Sequence, residues 1–321
     1  MRRLAGLALA AGLAIPSLAQ GVPQLAQANA ALQAGQADKA LALLNPLTQP
    51  GGKAEAYNLK CRVEFTLEQW DRAVSDCEQA VRLDGQNSNN HMWLGRALGE
   101  KASRASFLSA YSMGKRVKTE FEAAARLDPR NAEALADLGE FDYDAPGVVG
   151  GGTDKAERVA AQLDRLDAVR AHELRGRIAE QRKDFGTAEQ EYKQSLAVAA
   201  HPAFQWMTLA SFYRRRQRWT EMESALRSGE SAAARDKRAG VALYNGASLL
   251  QRTSRDPARA AKMLEDYLAG GVKTEEAPAF VAHTRLAQLK AQLGDRAAAS
   301  RERAAALALA HDYRPAQSLK F

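Results

Sequence analysis

An eight-residue segment that occurs twice constrains the fold more than any other feature of this sequence. Residues 80–87 are Ala-Val-Arg-Leu-Asp-Gly-Gln-Asn, and residues 124–131 are Ala-Ala-Arg-Leu-Asp-Pro-Arg-Asn. The two copies are 44 residues apart, which corresponds to one unit of about 34 residues plus roughly ten inserted residues. Repeats of this length form stacked arrays instead of a single globular core, so the repeat guides the interpretation of the whole chain.

Helical periodicity extends over nearly all of the sequence. Apolar residues recur at spacings of three and four, and hardly any segment alternates between apolar and polar residues. Ala, Leu, Arg, Glu and Gln, which are good helix formers, are abundant. Breaker pairs such as Asn45-Pro46, Asp84-Gly85 and Asp128-Pro129 separate segments of about 12 to 15 residues that come in pairs. The sequence therefore predicts an all-α chain of paired helices.

The pairs share a pattern of small and bulky residues. The unit at 54–87 fills its positions 4, 8, 20, 24 and 27 with Tyr57, Cys61, Ala73, Cys77 and Ala80. This pattern resembles the tetratricopeptide repeat (TPR), a helix hairpin of about 34 residues. The resemblance implies an all-α superhelical solenoid of about eight TPR-like helix hairpins, formed as a single domain by residues 20–321 and shaped as a curved rod. Stacking is required because only a neighbouring hairpin buries the apolar face of each unit.

The N-terminal residues have the layout of a secretory signal peptide. Arg2 and Arg3 precede an apolar stretch, Leu4 to Ile15, and small residues lead to an expected cleavage after Ala19. The apolar stretch is about 12 residues long, too short for a helix that spans a bilayer, and no later stretch is long and apolar enough. We therefore expect residues 1–19 to be removed and the mature protein to be soluble and periplasmic.

The charge balance argues against a nucleic-acid partner. The chain has 45 basic and 38 acidic residues and a formal net charge of +7, and the basic residues are spread along the sequence. A nucleic-acid-binding surface shows more concentrated positive charge. We expect a protein or peptide partner, with a bias toward anionic ones.

Residues 102–115 contain an insertion of roughly ten residues in the third unit. The insertion extends the tip of the hairpin and brings in large apolar side chains. We expect these side chains to pack under neighbouring turns, and the alternative is a knob that binds a partner. The residues concerned are Phe107, Leu108, Tyr111 and Met113.

The fourth unit contains a Gly-rich segment, residues 145–153. The phosphate-binding pattern of nucleotide loops is not met, because Thr153-Asp154 follow Gly152 and no strand comes before them. A wide turn that lets a neighbouring loop pack closely is expected instead. The residues that shape this turn are Pro146, Gly147, Gly150 and Gly151.

The region 88–160 resembles a group of exported bacterial TPR proteins, the T-components that accompany tripartite (TRAP) solute transporters. The resemblance rests on the Gly-rich segment, Ala145-Pro146-Gly147-x-x-Gly150-Gly151, followed by Asp154-Lys155-Ala156. It implies an alternative function, that of a small-solute-binding accessory component of a transport system.

Cys61 and Cys77 are the only cysteines of the sequence, and both fall at core positions on facing helices of one hairpin. In an oxidising compartment such a pair favours a disulfide, which would close a loop of about 15 residues and contribute on the order of 3 kcal/mol. The alternative is a pair of buried thiols that act as small apolar fillers. The sequence leaves both interpretations open.

No catalytic or metal-binding pattern is present in the sequence. The five histidines lie in different units, and none forms the His-Glu-x-x-His pattern of a metalloprotease. No serine lies in a Gly-x-Ser-x-Gly turn. We therefore predict that the protein is not an enzyme and uses no cofactor or metal.

The resemblance to TPR proteins also implies where a ligand binds. In that family the first helix of each hairpin lines a concave groove through positions 2, 5, 9 and 12 of the unit. Arginine, Met and Phe at these positions suit an extended peptide with acidic and apolar side chains. The predicted function is a non-enzymatic periplasmic scaffold or adaptor that binds a protein or extended peptide in the groove. The candidate groove contacts are Asn58, Arg62, Phe65, Met92, Arg96, Glu173, Arg177, Met207 and Arg214.

Overall fold

The computed structural model describes residues 21–321, so the predicted signal peptide lies outside the described residues. Within this range the chain forms seventeen α-helices and three short 3₁₀ segments, and it contains no strand. The α-helices are α1 (Gly21–Gln33), α2 (Ala37–Leu44), α3 (Ala54–Thr66), α4 (Trp70–Leu83), α5 (Ser88–Ala102), α6 (Phe107–Leu127), α7 (Ala132–Asp144), α8 (Thr153–Leu163), α9 (Ala168–Gln181), α10 (Phe185–Val198), α11 (Ala203–Arg215), α12 (Trp219–Arg235), α13 (Gly240–Arg252), α14 (Pro257–Ala269), α15 (Ala279–Gln292), α16 (Arg296–Leu309) and α17 (Arg314–Gln317). The 3₁₀ segments are Asn45–Thr48, Gly147–Val149 and Lys237–Ala239.

The helices pack in consecutive pairs. Each odd-numbered helix from α1 to α15 packs against the even-numbered helix that follows it, which gives hairpins 1 to 8, and α17 follows hairpin 8. Several helices begin after an Asp or Asn whose side chain accepts a backbone N–H of the first turn, which satisfies an otherwise unpaired donor. The prediction of an all-α solenoid of about eight TPR-like hairpins is confirmed. The capping residues are Asn131, Asp167, Asp184, Asp256 and Asp295.

Contacts between a glycine and an aromatic ring explain the repeated sequence pattern. A Cβ added to Gly95 would lie 2.5 Å from the ring of Phe121, and one added to Gly176 would lie 2.9 Å from the ring of Tyr192. In both hairpins the glycine is on the first helix and the ring is on the second. The missing side chain therefore lets the ring of the second helix approach the backbone of the first.

Hairpin 2 fills the same two positions with cysteines. A disulfide joins Cys61 of α3 to Cys77 of α4, and their Cα atoms are 5.3 Å apart. Both side chains are fully buried. Because the bond joins residues 16 positions apart, it constrains the unfolded chain and stabilises the fold by on the order of 3 kcal/mol.

The two ends of the solenoid are in contact. One hydrophobic cluster contains Leu25 and Leu32 of hairpin 1 together with Phe280 of hairpin 8 and Tyr313, which precedes α17. The rings of Phe280 and Tyr313 pack edge to face with their centroids 4.8 Å apart. The expected curved rod was wrong, because the curvature summed over the hairpins brings the last hairpin back to the first. The chain forms a closed turn.

Polar contacts across this closure involve the segment that precedes α15. Glu275 accepts two hydrogen bonds from the Arg62 guanidinium, at 2.9 and 2.5 Å, and one from the Gln33 side chain at 3.1 Å. The Tyr313 hydroxyl donates to Glu68 at 3.2 Å. These contacts join residues 213 to 245 positions apart in the sequence, so they hold the closed turn together.

A buried carboxyl group lies beside the disulfide-bonded pair of helices. Glu64 is buried, one of its oxygens has no hydrogen-bond partner in the described chain, and Asp76 lies next to it. Lys60 is 2.9 Å from Asp76 but 3.8 Å from Glu64. Burial, followed by the charge of Asp76, raises the pKa of Glu64 to about 8. Glu64 is therefore predominantly protonated in the folded protein at neutral pH.

We expect Gly35→Ala to weaken the closure. Gly35 has a φ of +68°, and a Cβ at this position would overlap the backbone nitrogen of Ala279 at the start of α15. The matched control is Gly294→Ala, because Gly294 occupies the equivalent turn of hairpin 8 with a φ of +85° and nothing lies within 4 Å of an added Cβ. In both variants an alanine must adopt a left-handed backbone conformation, which costs about 1 kcal/mol. Only in Gly35→Ala does the added Cβ also collide with the other end of the described chain.

In urea unfolding, Gly35→Ala should lose roughly 1–3 kcal/mol more than Gly294→Ala. Small-angle X-ray scattering should show a larger radius of gyration for Gly35→Ala alone. Equal losses of stability together with unchanged radii would contradict the closure.

Glu64→Gln should remove a pH-dependent loss of stability. Because the folded pKa lies above the unfolded value of 4.5, the folded state binds the extra proton, and stability falls as the pH rises from about 4.5 to about 8. The neutral variant should therefore be more stable than the wild type at pH 9, each pKa unit corresponding to about 1.4 kcal/mol, and nearly equal to it at pH 4. Urea unfolding across this pH range measures the difference. The exposed Glu55 of the same helix gives a control, Glu55→Gln, and an identical slope for both variants would refute the assignment.

Candidate binding surfaces

Two of the predicted groove arginines enclose an aromatic ring. The guanidinium carbons of Arg62 and Arg96 lie 5.2 and 4.7 Å from the centre of the Trp93 ring. Arg62 is bound by Glu275, as described above, and Arg96 donates to Asp137 at 2.6 and 3.1 Å. Because carboxylates already match both charges, this part of the concave surface offers no free cation to an acidic ligand.

Four other predicted contacts lie mainly in the packing between helices. Asn58, Met92 and Met207 are buried, and Phe65 packs edge-on against two tryptophan rings. The Met207 sulfur lies 3.1 Å from the position that a Cβ added to Gly246, in the next hairpin, would occupy. Met92 also lines a cavity together with Asn58 and Arg62, so a role of Met92 and Met207 in ligand binding stays a prediction.

The remaining three groove residues lie on α9 and α11. Glu173 accepts hydrogen bonds from Gln205 and Thr208, at 3.4 and 3.3 Å. Arg177 makes no hydrogen bond or ion pair within residues 21–321, and the Nε of Arg214 is buried without a hydrogen-bond partner in the same range. Of the predicted contacts, Arg177 and Arg214 are thus the cations that the described chain leaves unmatched.

The insertion in hairpin 3 lengthens the second helix at its N-terminal end. This helix, α6, has 21 residues, whereas the second helices of the other hairpins have 8 to 17. Phe107 and Leu108 are 82% and 78% exposed, Tyr111 is also exposed, and Met113 is half-buried. The expectation that these side chains pack under neighbouring turns was wrong for Phe107 and Leu108, because no element within residues 21–321 covers the first turn of α6.

The Gly-rich loop forms the tip of hairpin 4 and needs glycine at two positions. Gly150 has a φ of +102°, and a Cβ there would collide with the Lys118 side chain. A Cβ on Gly151 would overlap the carbonyl oxygen of Ala145. Lys118 is itself fixed, because its Nζ lies 2.9 Å from the buried carboxylate of Asp142. The loop therefore packs closely against α6.

The outer part of this loop is less constrained. Pro146 precedes the 3₁₀ segment that begins at Gly147, and nothing lies within 4 Å of a Cβ added to Gly147. Lys155 of α8 donates to the Gly150 carbonyl at 2.7 Å, which ties the loop to the second helix. Val148 is 69% exposed, so this part of the loop presents an apolar side chain to solvent.

The insertion and the Gly-rich loop face each other across a cavity of about 630 Å³, which we call the hairpin 3–4 cleft. Its apolar lining includes the predicted groove contact Phe65 together with Phe107, Tyr111, Val117, Phe121, Phe141, Tyr143, Val148 and Val149, and with Gly95, Gly99 and Gly114. Its charged lining consists of Glu100, Asp137, Glu140 and Asp144 together with the predicted groove contact Arg96. A cavity of this size and composition can hold a large apolar side chain beside positively charged neighbours.

Two of the four acidic residues in the cleft form no ion pair in the described chain, although the positive charge of Arg177 acts on one of them, Glu140. Glu100 pairs with Arg104 and Asp137 with Arg96, whereas Glu140 and Asp144 make no ion pair within residues 21–321. Removal of water by the surrounding protein raises the pKa of Glu140, and the positive charge of Arg177 opposes this shift. The cleft therefore has acidic groups outside any ion pair of the described chain, in addition to its apolar walls.

Residues 21–321 contain neither a metal-binding cluster nor a helix that could span a membrane. Among residues 21–321, no three His, Cys, Asp or Glu side chains are grouped closely enough to hold a metal ion. None of the described helices has the length and apolar content that crossing a membrane requires. Four histidines lie instead against single carboxylates, as His91 with Glu120, His172 with Glu191, His201 with Asp236 and His283 with Glu302.

Sequence reasoning found both walls of the cleft but did not bring them together, and it missed Glu140 and Asp144 as site residues. A signal was nevertheless present. The insertion and the Gly-rich loop both lie between the two helices of a hairpin, in consecutive hairpins. In a stack of hairpins such turns lie along the same edge, so extra residues in neighbouring turns are placed side by side.

Comparison with solved structures identifies the same fold. The thermophilic TPR protein TTC0263 from Thermus thermophilus matches with a TM-score of 0.51 and 18% identity, over 60% of this chain and 98% of that chain. The Cut9–Hcn1 hetero-tetramer of the APC/C matches with a TM-score of 0.43 and 12% identity, over 92% of this chain and 54% of that chain. Pseudomonas aeruginosa PilF matches with a TM-score of 0.40 and 14% identity, over 83% of this chain and 97% of that chain.

The similarity to TTC0263 supports the fold and nothing further. The other two similarities, with TM-scores of 0.43 and 0.40, support no inference. No protein-family model matches the chain, and no curated protein is similar to it. The resemblance of residues 88–160 to transporter T-components stays a prediction, because none of these matches tests it.

Proposed function

We propose that this chain is a non-enzymatic scaffold that binds an extended segment of a partner protein in the hairpin 3–4 cleft and along the adjoining concave surface. The observation that carries the proposal is the group of large apolar side chains left exposed at the cleft. Phe107, Leu108 and Val148 are 82%, 78% and 69% exposed. Exposed apolar groups of this size are unfavourable in water, and their clustering is typical of a surface that a partner covers.

The charges around the cleft favour a basic segment. Glu140 and Asp144 form no ion pair in the described chain, although the positive charge of Arg177 acts on Glu140. Arg62 and Arg96, by contrast, are already paired with carboxylates. We infer that the bound segment carries a large apolar side chain flanked by Lys or Arg. This replaces the acidic segment that the groove arginines suggested.

A small-solute-binding accessory component of a transport system is the second candidate. The cleft volume of about 630 Å³ falls within the range of small-molecule sites. A solute held inside the cleft would leave Leu108 uncovered, because Leu108 does not line the cavity. This exposed side chain favours the scaffold.

We also propose that the protein acts in the periplasm. The signal-peptide pattern of residues 1–19 supports this location, and so does the disulfide between Cys61 and Cys77, since such bonds persist in oxidising compartments.

The periplasmic location predicts a processed N-terminus. Expressed in a Gram-negative host, the full chain should appear in the periplasmic fraction with the mass of residues 20–321 and with no thiol that titrates before reduction. The control is Ala19→Arg, which removes the small residue at the expected cleavage point and should leave the precursor uncut. An uncleaved wild-type chain that fractionates with the cytoplasm would refute the location.

Gly99→Leu should block the cleft without disturbing the fold. Gly99 lies in α5 and lines the cleft, and nothing lies within 4 Å of an added Cβ. The control is Gly186→Leu, which places the same side chain at an exposed position of α10. The probe is an array of synthetic peptides with a central Trp, Phe or Leu flanked by Lys, beside the same peptides flanked by Glu.

The wild type should prefer the Lys-flanked peptides. Gly99→Leu should weaken the best of them by about tenfold or more, a loss of about 1.4 kcal/mol, and Gly186→Leu should leave its affinity unchanged. Fluorescence anisotropy measures both affinities. Equal binding of the Glu-flanked peptides, or full affinity of Gly99→Leu, would count against the proposed scaffold.

A further inference from the structure

A second cavity, of about 390 Å³, lies at the tips of hairpins 7 and 8. It is formed by the end of α13, the start of α14 and the second half of α15, and no acidic residue among those that the structure describes lines it. We call it the basic cavity. Its charged and amide lining consists of Arg252, Arg255, Arg285, Gln251, Gln288 and Gln292.

Aromatic rings hold two of these arginines in place. The guanidinium carbon of Arg255 lies 4.5 Å from the centre of the Trp219 ring, and that of Arg285 lies 4.6 Å from the centre of the Tyr244 ring. Arg285 also donates a hydrogen bond to the Ser248 hydroxyl. A stacked guanidinium uses its face for the ring and keeps most of its in-plane N–H groups for a ligand.

The three arginines of the basic cavity have no acidic partner within residues 21–321, since none forms an ion pair there. By contrast, Arg62, Arg96 and Arg215, on α3, α5 and α11, each bind a carboxylate. The C-terminal carbonyls of α13 lie near the cavity, but a helix end supplies only about half a negative charge. The cavity therefore keeps a large unmatched positive charge.

Arg214 of α11 extends this positive region. Its Nε is buried and has no hydrogen-bond partner in the described chain. Burial, followed by the charges of Arg215 and Arg252, lowers the pKa of Arg214. Neighbouring like charges are unfavourable, and an anion bound beside Arg252 would offset their repulsion.

We propose that the basic cavity binds carboxylate groups, at least two at a time, presented by an acidic stretch of a polypeptide. The planar guanidinium groups suit pairs of hydrogen bonds to carboxylate oxygens, and the glutamine amides add neutral donors. A free di- or tricarboxylic acid presents the same carboxylate groups. The choice of a polypeptide as the ligand that carries them therefore rests on the scaffold function proposed above. Hairpins 5 and 6 separate this cavity from the hairpin 3–4 cleft along the chain, so the two sites hold different parts of a ligand.

Isothermal titration of the full chain with acetylated hexaglutamate, with citrate and with inorganic phosphate tests the proposal. The cavity variant is Arg252→Gln/Arg285→Gln. The matched control is Arg227→Gln/Arg235→Gln, which removes the same charge from exposed positions of α12. The wild type should bind hexaglutamate, the cavity variant should lose about tenfold or more in affinity, and the control should retain it.

The outcomes separate the cavity from the proposed scaffold. No binding of either carboxylate probe by the wild type, tighter binding of phosphate, or equal loss in the control would overturn the carboxylate site. Binding of citrate alone would support the site and overturn the polypeptide source. The cavity variant should keep its affinity for the Lys-flanked peptide that binds the cleft. If the wild type itself does not bind that peptide, the result counts against the scaffold and not against the carboxylate site. Loss of the stacking of Arg285 on Tyr244 could lower the melting temperature of the double variant. The single variant Arg252→Gln changes only an exposed residue at a helix end, so its affinity for hexaglutamate still tests the cavity in that case.

Discussion

The apolar face of each hairpin is the constraint on which this structure depends, because water penalises that face until another hairpin covers it. In a linear stack the first and last hairpins each keep one face uncovered. Here the curvature brings the ends together, and Phe280 and Tyr313 join the same cluster as Leu25 and Leu32. The terminal hairpins thus bury part of each other's surface, and α17 packs against hairpin 8 as a short cover.

The closed turn also determines how charge is distributed on the concave side. Arg62 finds its carboxylate in Glu275, on the far end of the chain, and Arg96 finds one in the next hairpin. Hairpins 3 and 4 are left with apolar surface and with Glu140 and Asp144, which form no ion pair within residues 21–321. Hairpins 7 and 8 are left with arginines that have no acidic partner in the described chain. The closed turn therefore presents two regions of opposite charge character.

The hairpins could be predicted from sequence because their signal is local: a small residue meets a ring at fixed spacing, as Gly95 meets Phe121. The closure could not, because small angles between successive hairpins add up over the whole stack and no local pattern encodes their sum. The candidate site likewise has parts that the sequence predicts and parts that it does not. The Gly-rich loop and the insertion were each visible in the sequence, but the cavity between them depends on how hairpins 3 and 4 stack, which repeat positions do not specify.

Joining the ends has a further consequence for ligand selection. The hairpin 3–4 cleft and the basic cavity belong to one closed frame, so the distance between them is fixed. When one segment of a partner occupies the first site, a tethered second segment reaches the other at a high effective concentration only if the connecting residues match that distance. Selectivity then depends on how far apart a partner carries its basic-apolar and acidic stretches, and not only on their composition.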